Sequence, residues 1–204
     1  MNKLLLCALL AMSININAFA QEDELDQDSS WKKEYRSFAN KDNDLVHTKL
    51  VANFNYVQSQ MNGEVWLQLK PHFYPTNLLR LDAKAMEIKE VALVQNNNKK
   101  KLLYDYDGLF INIQLDKTYT AKELYTVYIK YIAKPNEYKA KGSTAITDAK
   151  GMYFINPLGL DTTKPTQIWT QGETEGTSVW IPIIDKPNQK CTQEFHLTVP
   201  SKYV

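Results

Sequence analysis

Apolar and polar residues alternate with a period of two along most of the chain after Lys49, the signature of strands with one buried and one wet face. Leu50, Ala52, Phe54 and Tyr56 alternate with Lys49, Asn53 and Asn55, and Val65, Leu67 and Leu69 alternate with Gln68 and Lys70. Between the two runs stands Asn62-Gly63, a pair favoured where a two-residue hairpin needs positive φ, which predicts an antiparallel pair turning there. Asp107-Gly108 predicts a second hairpin, joining a strand over 102–106 to the run Leu109, Ile111, Ile113 and Leu115, with Asn112, Gln114 and Asp116 facing water. Tyr125, Val127, Ile129 and Tyr131 continue the pattern until Pro135, and Phe195, Leu197 and Val199 repeat it before Pro200. The polar stretch 136–148, with Gly142-Ser143-Thr144 at its centre, reads as a surface loop. With no long helical period, the expected fold class is all-β: an antiparallel saddle or open sandwich of sheets.

The start of the chain breaks this pattern. Asn2-Lys3 precedes an apolar stretch over 4–12, and Ala18-Phe19-Ala20 offers a small-x-small cleavage site, so residues 1–20 read as a signal peptide and the product as exported, either periplasmic or secreted. That stretch is too short to span a bilayer and nothing later is apolar for longer, so no membrane span is expected. Residues 21–43 are charged and weakly periodic, a flexible lead in which Trp31, Tyr35 and Phe38 allow a short helical turn before a β domain over 44–204. Of the two cysteines only Cys191 lies beyond the signal peptide, where it reads as an inert thiol at a strand entrance. Stability therefore rests on packing, to which twelve Tyr, seven Phe and four Trp lend large areas. The 24 basic residues are balanced by 23 acidic ones, which argues against a nucleic-acid partner, and Lys99-Lys100-Lys101 reads as a solvated loop.

Familiar catalytic motifs are missing. No His-Glu-x-x-His run places two imidazoles on one helix face; His47, His72 and His196 are scattered through predicted strands, so no metal ligands are expected here. There is no Gly-x-Ser-x-Gly elbow and no phosphate-cradling glycine loop. One segment stands out, Ile168-Trp169-Thr170-Gln171-Gly172-Glu173-Thr174-Glu175-Gly176, where an amide and carboxylates follow a bulky aromatic. If Gln171 to Glu173 is extended, both side chains project from one face, a pairing suited to a ligand ammonium. Spacing alone favours a polar surface loop with its acids in solvent.

Residues 45–204 resemble the N-terminal domain of the aminopeptidase N and leukotriene hydrolase group of gluzincin zinc metallopeptidases. The resemblance sharpens after Gly151 and rests on Thr170-Gln171-Gly172-Glu173, on Trp180-Ile181-Pro182, on Asp185-Lys186-Pro187 and on the strand from Thr192 to Pro200. It implies that Glu173 binds the free amino group of a peptide substrate and that Gln171 lines the same pocket. Asp185 and Pro187 would then have a structural part. It further implies zinc in the full-length parent, with its ligands in a C-terminal catalytic domain of the same protein rather than in this chain. The sequence reaches Val204 before any such domain, so the expectation is a non-catalytic fragment, truncated at its C-terminal end, of an exported zinc aminopeptidase. The alternative left open is a stand-alone exported β-sandwich that binds a peptide, a glycan or a protein partner without catalysis.

Overall fold

Among the described residues the chain forms eleven strands: β1 (Asn43–Asn55), β2 (Gln60–Pro71), β3 (Thr76–Asp82), β4 (Met86–Gln95), β5 (Asn98–Lys101), β6 (Leu103–Tyr106), β7 (Phe110–Tyr119), β8 (Tyr125–Ala133), β9 (Met152–Ile155), β10 (Gln167–Thr170) and β11 (Thr192–Thr198). The computed structural model describes residues 40–96, 98–139 and 150–203. The expected signal peptide, the lead through residue 39 and most of the expected loop over 136–148 lie outside the described residues.

The strands form a six-stranded sheet in the order β11-β1-β2-β8-β4-β5, a three-stranded sheet in the order β3-β7-β6, and a ribbon of β9 and β10. Leu50, Val65, Leu67, Val127, Ile129 and Leu93 of the large sheet join Leu79, Leu81, Ile111, Ile113 and Leu115 of the small one in a single buried cluster. Burying each such side chain contributes roughly 1.5–3 kcal/mol, so this shared interior holds the layers together. The fold is all-β as expected, and its pairings are antiparallel except that β11 lies parallel to β1 at the sheet edge.

Several expectations are corrected. Asn62-Gly63 is not a turn but sits inside β2, opposite Asn53 and Ala52. The chain reverses over residues 56–59, where Asn55 Oδ1 accepts the amide of Gln58 at 3.0 Å and Ser59 takes a φ of 52°. Gly63 is needed for space: a Cβ there would collide with the ring of Tyr131 on the neighbouring strand β8. The lysine run is not a loop but part of β5, an exposed edge strand paired with β4, where its charges guard the open edge. Phe195, Leu197 and Val199 are 44%, 53% and 42% exposed rather than buried, because β11 lies at the margin of the large sheet. Leu109, expected to face the core, is exposed beside the second turn, where Asp107 Oδ1 accepts the amides of Leu109 and Phe110.

Candidate functional site

The ribbon of β9 and β10 delivers the Thr-Gln-Gly-Glu segment. Its register pairs Ile168 with Phe154 and Trp169 with Tyr153. Ile168 and Phe154 pack on the core, Phe154 making T-shaped ring contacts with Phe54 and Tyr56. The next residues along the pleat point the other way, and there Trp169 stacks on Tyr153 with ring centroids 4.3 Å apart and planes 10° from parallel. One further ladder bond, Gln171 N–H to the Gly151 carbonyl at 2.9 Å, extends the pairing to Gln171. The chain then turns. Gly172 accepts the amides of Glu175 at 3.1 Å and of Gly176 at 2.8 Å, closing a loop over 172–176.

Gln171 and Glu173 meet in this loop. Gln171 Nε2 donates to Glu173 Oε2 at 3.2 Å, and Glu173 is exposed. The predicted pairing of the two side chains is therefore present, but it arises from a turn rather than from a continued strand; the Glu173–Thr174 peptide bond is cis. The loop is clamped from beneath by a close backbone crossing. Gly151 has a φ of 70°, and a Cβ there would collide with the carbonyl of Gly176.

A polar brace that sequence reading missed holds the far side of the loop. Glu175 has a φ of 90°, an unusual conformation for a side-chain-bearing residue. Its carbonyl accepts Lys84 Nζ at 2.8 Å and Ser178 Oγ at 2.9 Å, and its carboxylate pairs with Lys186 Nζ at 2.7 Å. Asp185 Oδ2 accepts the Ser178 amide at 2.8 Å, and the Asp185 amide donates to Asp82 Oδ2 at 3.0 Å. Burial pushes the Asp185 carboxyl above its usual range, against the pull of its Ser178 bonds and of Lys84. Burial also opposes the charge of Lys186, but its bond to Glu175 and the charges of Asp82, Glu175 and Asp185 outweigh that and raise its pKa. These groups border an open hollow of about 740 Å³ between Gly172, Thr174 and Pro187. Asp185 and Pro187 carried a sequence signal; Lys84 comes from a distant turn, and nothing around it in the sequence marks the contact.

The three histidines do not gather at one point. His47 Nδ1 lies 2.7 Å from Thr192 Oγ1 and its Nε2 3.8 Å from Glu194, which His196 also contacts, whereas His72 Nδ1 lies apart, 2.9 Å from Asp44 Oδ1. Among the described residues no group of three or more His, Cys, Asp or Glu is arranged to hold a metal ion, so the residues present do not fit a zinc site. Cys191 is half-buried at the entrance to β11, its Sγ 3.9 Å from Thr48 Oγ1. Among the described residues no helix is long and apolar enough to cross a membrane.

Two sheets that share one core, with a ribbon that raises an amide–carboxylate pair on a braced loop, define an all-β domain. The chain belongs to the peptidase M1 N-terminal domain family, whose model matches residues 37–204. Among solved structures it is similar to a two-domain M1 zinc metallopeptidase mutant bound to L-arginine, at 16% identity and a TM-score of 0.65, covering 82% of this chain and 35% of that one. The M1 zinc metallopeptidase from Deinococcus radiodurans is similar at 15% identity and a TM-score of 0.63, covering 82% of this chain and 35% of that one. Yeast LTA4 hydrolase in complex with bestatin follows at 18% identity and a TM-score of 0.56, covering 84% of this chain and 27% of that one. The chain thus spans about a third or less of the length of these solved relatives. Comparison with curated protein sequences finds no match.

Proposed function

We propose that this chain is the N-terminal, non-catalytic portion of an exported zinc aminopeptidase, and that Gln171 and Glu173 form part of the pocket for the free amino group of a peptide substrate. The observation that carries the reading is the exposed Gln171–Glu173 pair on a braced loop. Gln171 Nε2 steadies one carboxylate oxygen of Glu173, while Glu173 Oε1 and the Gln171 side-chain oxygen have no partner among the described residues. An ammonium placed between them gains charge-assisted hydrogen bonds, whereas an acylated or deaminated terminus gains none. Glu175, two residues on, is already engaged by Lys186, which leaves Glu173 as the carboxylate free to bind.

Two further facts support the assignment. The chain belongs to the peptidase M1 N-terminal domain family. Its structural neighbours hold L-arginine, L-tryptophan or a Tyr-Ser-Ala substrate, all ligands with a free α-amine. The share of this chain in the reaction is to select and orient that amine, since positioning alone lowers a barrier substantially. Zinc in the parent, and the water it activates, would be held by the C-terminal catalytic domain. Residues 1–20 support export, to a periplasm or to the outside. The test is turnover of aminoacyl anilides by the intact enzyme that carries residues 37–204. Free-amine substrates are cleaved and their N-acetylated forms are not; equal cleavage of both contradicts the reading.

A further inference from the structure

Resting on that reading, we infer that the stacked Tyr153–Trp169 pair is the platform that receives the side chain of the substrate's N-terminal residue, making the enzyme selective for aromatic and cationic N-termini. Three observations converge. First, the pleat of β10 places Trp169 and Gln171 on the same face, with Ile168 and Thr170 on the other, and the Gln171–Gly151 bond keeps Gln171 in the ladder. The aromatic pair and Gln171 therefore share one face of the ribbon, and Glu173 joins them through its bond to Gln171.

Secondly, the spacing suits one amino acid. Residues two apart on a strand are about 6.6 Å apart, close to the distance between the α-nitrogen of a phenylalanine or arginine and the far part of its side chain. With the ammonium at Glu173 and Gln171, the side chain reaches back over Trp169.

Thirdly, the pair leaves aromatic surface within reach of a ligand. Trp169 remains 43% exposed although it is stacked, whereas Ile168 beside it is packed on the core. Stacking at 4.3 Å on one side by Tyr153 holds the Trp169 ring in place and leaves its other π face toward solvent. Such a face stacks with aromatic groups and attracts guanidinium or ammonium groups, but offers little to a methyl.

The experiment compares kcat/KM of the intact enzyme for free-amine anilides of Phe, Arg and Ala in four forms: wild type, Trp169→Leu, Trp169→Phe and Glu173→Gln. Trp169→Leu is expected to lower kcat/KM about 5- to 10-fold for Phe and Arg, mainly through KM, and less than about twofold for Ala; Trp169→Phe restores most of the loss. Glu173→Gln lowers all three alike. Melting temperatures of the variants identify a folding defect, which would depress all three substrates together. A uniform loss in Trp169→Leu, or none, overturns the platform even if Glu173→Gln behaves as expected. Selective loss in Trp169→Leu with a silent Glu173→Gln overturns the amine pocket and leaves the platform standing. An intact enzyme that cleaves none of the three overturns both.

Discussion

The interior of the two facing sheets and the loop over 171–176 are built on opposite terms. In the interior, Leu50, Val65, Leu67, Ile111, Ile113, Val127 and Ile129 are all fully buried, and stability is spread over many similar contributions. In the loop, one backbone crossing between Gly151 and Gly176 and one lysine on the Glu175 carbonyl fix the geometry. Redundancy makes the interior tolerant of shape but globally coupled. A few specific bonds make the loop accurate and locally fragile.

The difference can be broken experimentally. The largest effect is expected from Leu67→Ala, which removes a fully buried side chain and should cost about 2–5 kcal/mol in denaturant titration, seen equally by every probe. Gly151→Ala should cost about 1–3 kcal/mol through its positive φ and the collision with Gly176, with faster amide exchange concentrated at 171–176. Uniform loss of protection in Gly151→Ala would show that the loop and the interior open as one unit.

Next in size is the response to alkali. Burial first, then the bond to Asp116, pushes the Tyr119 hydroxyl up to about 12; burial likewise raises Tyr125, Tyr128 and Tyr131, with Glu64 adding to the shift at Tyr128. A folded pKa above the unfolded value near 10 means that the folded state keeps its proton longer. The associated stability is therefore complete below pH 10 and lost as pH rises toward 12 and beyond. Melts at pH 8, 10 and 11 should show a flat stretch followed by a steep fall, and stability still rising above pH 10 would contradict these environments. The smallest effect is expected from Lys84→Met, which removes the ammonium on the Glu175 carbonyl at a cost of about 1–2 kcal/mol. Its exchange signature should again centre on the loop, and Lys84→Arg should restore part of it.

The sheets were legible in the sequence wherever alternation was unbroken, as in β7 and β8. They were hidden where a bulge switched faces: the register of β1 shifts between Leu45 and His47, and that of β4 between Ile88 and Glu90, so buried residues there do not keep one parity. Asn62-Gly63 misled because glycine serves close approach as readily as it serves a turn. Phe195 and Leu197 misled because alternation marks two faces of a strand without saying whether anything covers either. At the site, the meeting of Gln171 and Glu173 could be anticipated from their spacing, while the amine-binding role proposed for them came only from the family motif. The brace was not, since Lys84 and Asp82 reach Glu175 and Asp185 across 91 and 103 residues of chain.

The central claim is that Glu173, and not Glu175, holds the substrate amine, and kcat/KM of the two Gln variants in the intact enzyme tests it most directly. A hydrogen bond to a charged group contributes roughly 1.5–3 kcal/mol, so Glu173→Gln should lower kcat/KM about 10- to 100-fold with melting temperature and zinc content unchanged. Glu175→Gln, which loosens the Lys186 pair, should lower melting temperature while affecting kcat/KM much less. An activity within about twofold of wild type for Glu173→Gln, or a larger loss of kcat/KM in Glu175→Gln, would contradict the assignment.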